Sequence, residues 1–136
     1  MARILLLDDS PTQTICMQRQ LHKLGHEVCH AAGLSEALSL VAAEREAEAR
    51  KVPVDLAIVE LTLLQDNGFD VGLSLLRGGV DKVLLLSGAR RETDDIWAQA
   101  LGLQGVLSRP LTSLQLGARI AEVLAGVLTG GGNDVR

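Results

Sequence analysis

Short apolar runs alternate along this chain with longer stretches of mixed, helix-like pattern. Ile4-Leu5-Leu6-Leu7 is a continuous apolar run ended by Asp8 and Asp9, as expected of a strand covered on both faces rather than one half open to water. Ser10-Pro11-Thr12 supplies a helix start, and Ile15, Cys16, Leu21 and Leu24 are read as the buried stripe of a helix ending before Gly25. Residues 28–31 predict a second strand. Ser35 is placed as the cap of a second helix, with Leu38, Val41 and Ala42 inward. The alanine- and charge-rich stretch at 43–51 extends that helix as a solvated face with a favourable Glu46–Arg50 spacing, and Pro53 stops it.

The alternation continues through a third strand at 54–59, a third helix at 69–76 ended by Gly78-Gly79, and a fourth strand at 83–86. Thr93 or Asp94 is the expected cap of a fourth helix, and residues 106–108 form a short fifth strand. A last helix at 113–128 turns Leu116, Ile120, Val123, Leu124 and Val127 inward, and the glycine-rich tail at 130–136 is expected to fray. The domain is therefore set at 1–129. Parallel strands need crossovers, and these are right-handed, so the pattern predicts an α/β fold: a doubly wound five-stranded parallel sheet in the order 2-1-3-4-5.

Composition narrows the function classes. The chain has 136 residues, enough for one domain with its own core, and 47% of them are apolar against 22% charged. A formal net charge of -4 argues against nucleic acid as a partner. Apolar stretches stop well short of the ~18 residues of a membrane span, and Met1-Ala2-Arg3 runs into a strand rather than a signal peptide. No membrane insertion is expected, and a cytoplasmic location is. Cys16 and Cys29 form no CxxC pair and read as reduced thiols. His22, His26, Cys29 and His30 are near one another in sequence, but Gly25 breaks the helical register and the strand alternates faces, so ordinary surface and core roles are preferred to zinc.

In the predicted topology, ligands bind beyond the carboxyl ends of the strands, at the switch point between the first and third. Asp8, Asp9 and Glu60 are expected to converge there. Three carboxylates in one pocket repel, and a divalent cation or a neighbouring base offsets them. Mg²⁺ held by Asp9, Glu60 and the backbone carbonyl of Thr62 is one reading; a solvated acidic rim without an ion is the other.

Beyond these patterns, the chain resembles the receiver domains of bacterial response regulators, the CheY-like family with its flavodoxin-like (βα)5 fold. Ile4 to Pro11 is similar to the family's first strand and acidic pair, Val54 to Glu60 to its third strand and phosphoacceptor, and Asn67-Gly68-Phe69-Asp70 to the turn that follows. The resemblance puts Ser87 at the switch hydroxyl and Arg109-Pro110 at the Lys-Pro pair. It extends to stand-alone receivers of the PilH and PilG type through Met1 to Ile4, Asp8 to Thr12, Gly25-His26 and Glu92 to Trp97. Those act in a chemosensory-like pathway of type IV pilus twitching motility. The resemblance implies a signalling role rather than an enzyme, with a histidine kinase or a downstream target as protein partner; a homodimer is a further candidate.

Against the family pattern, the acceptor position is Glu60, one methylene longer than aspartate, and a displacement of about 1 Å costs about a hundredfold where near-attack geometry controls rate. Arg109 replaces a compact ammonium with a planar fork that is expected to reach Glu60. Val106 stands where the resemblance implies a switching aromatic, and Leu64-Gln65 where it implies Pro-Gly. The expectation is a pseudo-receiver: phosphorylation-independent, with no required cofactor, weak Mg²⁺ binding at most, and output through protein contacts. A phosphorylatable relay or phosphate sink is the alternative. Trp97, on the fourth helix, is the candidate interface anchor, weighed evenly against partly buried packing; Phe69 is expected to pack in the core.

Overall fold

The computed structural model describes residues 1–48, 54–89 and 91–126. Ten elements alternate: β1 (Arg3–Leu7), α1 (Pro11–Lys23), β2 (Glu27–Ala31), α2 (Leu34–Glu48), β3 (Leu56–Glu60), α3 (Gly68–Arg77), β4 (Val83–Ser87), α4 (Glu92–Ala100), β5 (Val106–Ser108) and α5 (Ser113–Leu124). The strands form one parallel sheet in the predicted order β2-β1-β3-β4-β5.

Continuous apolar runs mark the inner strands because alternate side chains enter two separate cores. Leu5, Leu7, Ala57, Val59, Val83 and Leu85 face α2, α3 and α4, where they meet Val41, Val71, Leu75 and Ala98. Ile4, Leu6, Leu56, Ile58, Leu84 and Leu86 face α1 and α5, meeting Met17, Leu21, Leu116, Ile120 and Val123. Helices on both faces leave no wet side to the sheet, so period-two polarity is absent from β1, β3 and β4.

Several local expectations shift. In α1 the buried positions are Thr14, Met17 and Leu21, spaced three and four apart, whereas Ile15 and Cys16 are exposed. Ser10 caps the helix, its Oγ accepting from Gln13 N at 3.4 Å, and that start places Met17 rather than Ile15 against the sheet. Helix α2 begins at Leu34, one residue before the expected Ser35 cap, so Ala37 and Val41 are buried while Leu38 and Ala42 are exposed. In α4 the cap position is Arg91, and Asp94 acts from the first turn: its Oδ2 accepts from Arg91 N at 2.8 Å. Helix α5 starts at Ser113 as expected, with Thr112 Oγ1 accepting from Gln115 N, and ends at Leu124. Strand β3 starts at Leu56 and takes in Glu60. The expectations for Arg50, Pro53, Val127 and the 130–136 tail lie outside the described residues.

One glycine is required by close approach. A Cβ on Gly68 would stand 2.5 Å from Leu61 Cα and 2.7 Å from Glu60 O, so α3 can start this near the end of β3 only with hydrogen at that position. Gly68 N donates to Leu61 O at 2.8 Å, and Asn67 Oδ1 caps the helix by accepting from Phe69 N at 2.8 Å. Phe69 is partly buried and packs against the core beside Leu61 and Leu63.

Candidate functional site

The site lies at the carboxyl end of the sheet, where β1 is flanked by β2 and β3 and the chain has crossed to opposite faces. Glu60 closes β3, paired in register with Leu86 of β4. Ser87 closes β4 opposite Ser108 of β5, and Arg109 N donates to Ser87 O at 2.8 Å. That bond sets the start of the Arg109 side chain beyond the strand ends. The following Arg109–Pro110 peptide is cis.

The expected contact between Glu60 and Arg109 is present: Arg109 Nη2 is ion-paired with Glu60 Oε1. Both atoms are buried, and neither has another hydrogen-bond partner among the described residues. The same nitrogen is 3.9 Å from Asp8 Oδ2, so one guanidinium faces two carboxylates. The other oxygen of Glu60 accepts from Thr62 N at 3.3 Å. Asp8 is 2% exposed; its Oδ1 accepts from Ser10 N at 2.9 Å, and its backbone carbonyl accepts from His30 Nε2 at 2.8 Å. Burial raises the Asp8 carboxyl above its ordinary range, opposed by the Ser10 hydrogen bond and then by the Arg109 charge. Burial likewise lowers the Arg109 pKa, and the charge of Asp8 opposes it.

Asp9 Oδ2 accepts from Leu64 N at 2.7 Å, which ties the β3–α3 loop to the end of β1, and the Asp9 charge acts on Asp8. Thr62 is exposed and forms an isolated antiparallel bridge with Asn67. Of the residues expected to hold Mg²⁺, one Asp9 oxygen thus serves the loop and one Glu60 oxygen an arginine. Among the described residues no three His, Cys, Asp or Glu side chains are arranged to hold a metal ion. His26 and His30 each have local partners, His26 Nδ1 accepting from Ala2 N at 3.0 Å.

Ser87 is buried, its Oγ accepting from Ala89 N at 3.0 Å. With Glu60, Thr62, Gly88, Arg91 and Asp94 it lines an open cavity of about 530 Å³. Val106 is 6% exposed and packs in the core that faces α2, α3 and α4. Trp97 is 60% exposed, on the solvent side of α4 with Ile96.

Sequence analysis does not single out Asp95, on the inner side of that helix beside Asp94. Asp94 and Asp95 are buried while Ile96 and Trp97 are exposed, an inversion of ordinary amphipathicity. Asp95 Oδ1 accepts from Val106 N at 3.2 Å. The available signal was the position of Asp95 itself, three residues before Ala98 on one helical face.

A parallel α/β sheet with an acidic switch-point pocket, a hydroxyl at the end of β4 and a basic residue after β5 is the arrangement of a response-regulator receiver. The chain belongs to the CheY-like receiver family. It is 30% identical over 129 residues to Protein PilH of Pseudomonas aeruginosa, a match covering 93% of this chain and 100% of that protein. Response regulator GtcR of Aneurinibacillus migulanus is 27% identical over 121 residues, which are 89% of this chain but 47% of that longer protein. Among solved structures, a response regulator receiver domain protein from Clostridium thermocellum superposes with a TM-score of 0.79 at 22% identity, covering 93% of this chain and 96% of the other. A CheY-like receiver from Methanospirillum hungatei gives 0.75 at 23%, covering 93% and 95%. No protein-family model matches the chain. Among the described residues, no helix is long and apolar enough to cross a membrane.

Proposed function

We propose that this receiver is a signalling interaction module that works without phosphorylation. The observation that carries the reading is the buried ion pair of Glu60 with Arg109. An incoming phosphoryl group needs a free carboxylate oxygen in line with its donor, and Oε1 is turned to the guanidinium while Oε2 accepts from Thr62 N. A single fixed negative charge balanced by an arginine differs from a phosphorylated carboxylate, which would add roughly -1.5 to -2 of charge and unpaired acceptor oxygens. The pocket is held in one state, and output goes through contacts with other signalling proteins. The likeness to PilH supports a place in a chemosensory-like pathway, with type IV pilus motility as the pathway proposed.

Incubation with acetyl phosphate and Mg²⁺ followed by intact-mass measurement is expected to show no adduct. A hydroxylamine-sensitive phosphoryl group accumulating on Glu60 would sink the proposal.

One observation favours a second reading, a working relay or phosphate sink. The cavity beside Glu60 is open and lined by the Ser87 hydroxyl, leaving room for a phosphoryl group once the arginine withdraws. A kinase-dependent adduct abolished by Glu60→Gln would establish that reading in place of the first.

A further inference from the structure

We propose that the Arg109 guanidinium is the resident cation of the acidic pocket, taking the place of a divalent ion, and that removing its charge opens a metal site between Asp8 and Glu60. Three observations converge on this. Arg109 Nη2 is ion-paired with Glu60 and 3.9 Å from Asp8 Oδ2, so the two carboxylates share one positive charge supplied by the chain itself. Glu60 Oε1 is buried with no other hydrogen-bond partner among the described residues, so the guanidinium is what offsets its desolvation there. Asp9, the remaining carboxylate, is engaged through Oδ2 by Leu64 N.

The chemistry decides between the two cations. Mg²⁺ and Mn²⁺ take hard oxygen ligands in an octahedral shell and retain several waters. A guanidinium against Glu60 fills that volume, and its positive charge repels an incoming dication. Arginine remains protonated across the accessible pH range, so the protein cannot vacate the site by titration. Once the charge is gone, Asp8 Oδ2 and Glu60 Oε1 become a buried anionic pair without an internal counter-ion, and a dication is the species that offsets both.

The proposal rests on the same ion pair as the functional reading, but its test measures metal affinity and not phosphorylation, so the two can fail separately. The probe is Mn²⁺, added to the full chain and followed by paramagnetic broadening of the amide signals at 8–10 and 60–62. The parent is expected to show no saturation below the millimolar range. Arg109→Ala is expected to bind at least about tenfold more tightly, equivalent to about 1.4 kcal/mol. Arg109→Gln, which keeps a planar polar head without charge, should gain in the same direction, and adding Glu60→Gln to either should remove the gain. Saturation of the parent at micromolar Mn²⁺ overturns the proposal, as does an unchanged affinity in both folded arginine variants. If a variant is unfolded in metal-free buffer, the readout becomes its circular dichroism on adding Mn²⁺: recovery of the folded spectrum supports the site, and failure to recover overturns it.

Discussion

Asp95 accepts the backbone amide of Val106 at 3.2 Å and thereby joins α4 to the first residue of β5. From the other side Arg119 of α5 donates from Nη2 to Gln104 O at 2.9 Å, and the same nitrogen is 2.7 Å from where a Cβ on Gly105 would be. Gly105, at φ 138, has a backbone conformation that strains any L side chain, and a Cβ there would displace the Arg119 guanidinium. Burial lowers the Arg119 pKa, and the charges of Glu122 and then Asp95 oppose it. Two helices are thus held across the entry to β5 by a buried and a partly buried polar group, beside a valine whose branched side chain has little rotamer freedom.

Removing that bond has a defined cost. Asp95→Ala leaves the Val106 amide buried without its acceptor and is expected to destabilise the fold by about 1–3 kcal/mol, whereas Asp95→Asn, which can still accept, loses less. Urea unfolding of the three proteins checks the order. Equal stability of the alanine and asparagine variants would show that the hydrogen bond is not what matters there.

The start of α3 gives a steric prediction. Gly68→Ala forces a Cβ to within 2.5 Å of Leu61 Cα, and backbone cannot rotate aside as a side chain can. A loss of about 2 kcal/mol or more is expected from such overpacking, while Gly33→Ala, with nothing within 4 Å of its added Cβ, should be close to neutral. Thermal unfolding of the pair tests this. Because Gly68 N also fixes Leu61 O at 2.8 Å, the first variant should in addition shift amide signals around Glu60.

Trp97 tests the outward face of α4. Being 60% exposed, it contributes little to the core, so Trp97→Ala should change stability by no more than about 0.5 kcal/mol. Affinity capture from the native cell should nevertheless lose a signalling partner if Trp97 anchors its interface. Undiminished capture with the variant would leave Trp97 as a surface residue without that role.

Sequence patterning revealed the fold because both faces of the sheet are covered. Runs such as Leu56 to Val59 admit few alternatives to a buried parallel strand, and the order of strands followed from the crossovers. The pocket was partly legible for the same reason: carboxylates at strand ends meet wherever the strands do. What periodicity hid was the phase of the helices. In α1, Ile15 and Met17 are both apolar, and the cap at Ser10, rather than hydrophobicity, decides which one faces the sheet. The engagement of Asp9 with Leu64 N was not legible because it depends on how the β3–α3 loop folds back, a contact between residues 55 positions apart that no local pattern encodes. Buried Asp95 escaped notice because an acid in the first turns of a helix ordinarily serves the helix dipole at the surface.

Asp8 and His26 predict pH dependences of opposite slope. Burial raises the Asp8 carboxyl above 3.8, so between that value and its folded pKa the native state binds more protons than the unfolded chain. Stability from this group therefore falls as pH rises through that window, and the stability of Asp8→Asn relative to the parent should climb over the same range. For His26 the order is reversed. Burial, and then the charge of the N-terminal amine, lowers its pKa below 6.5, and its neutral Nδ1 accepts from Ala2 N at 3.0 Å. The unfolded chain then binds more protons as pH drops below 6.5, so the His26 contribution is complete above 6.5 and is lost as pH falls through the folded value. His26→Leu should flatten the acid decline, whatever constant offset the lost hydrogen bond introduces. Urea unfolding at intervals between about pH 7 and pH 4 separates the two slopes. A His26→Leu curve parallel to the parent below 6.5 would show that the ring titrates alike in both states, and an Asp8→Asn curve parallel to the parent would show the same for the carboxylate.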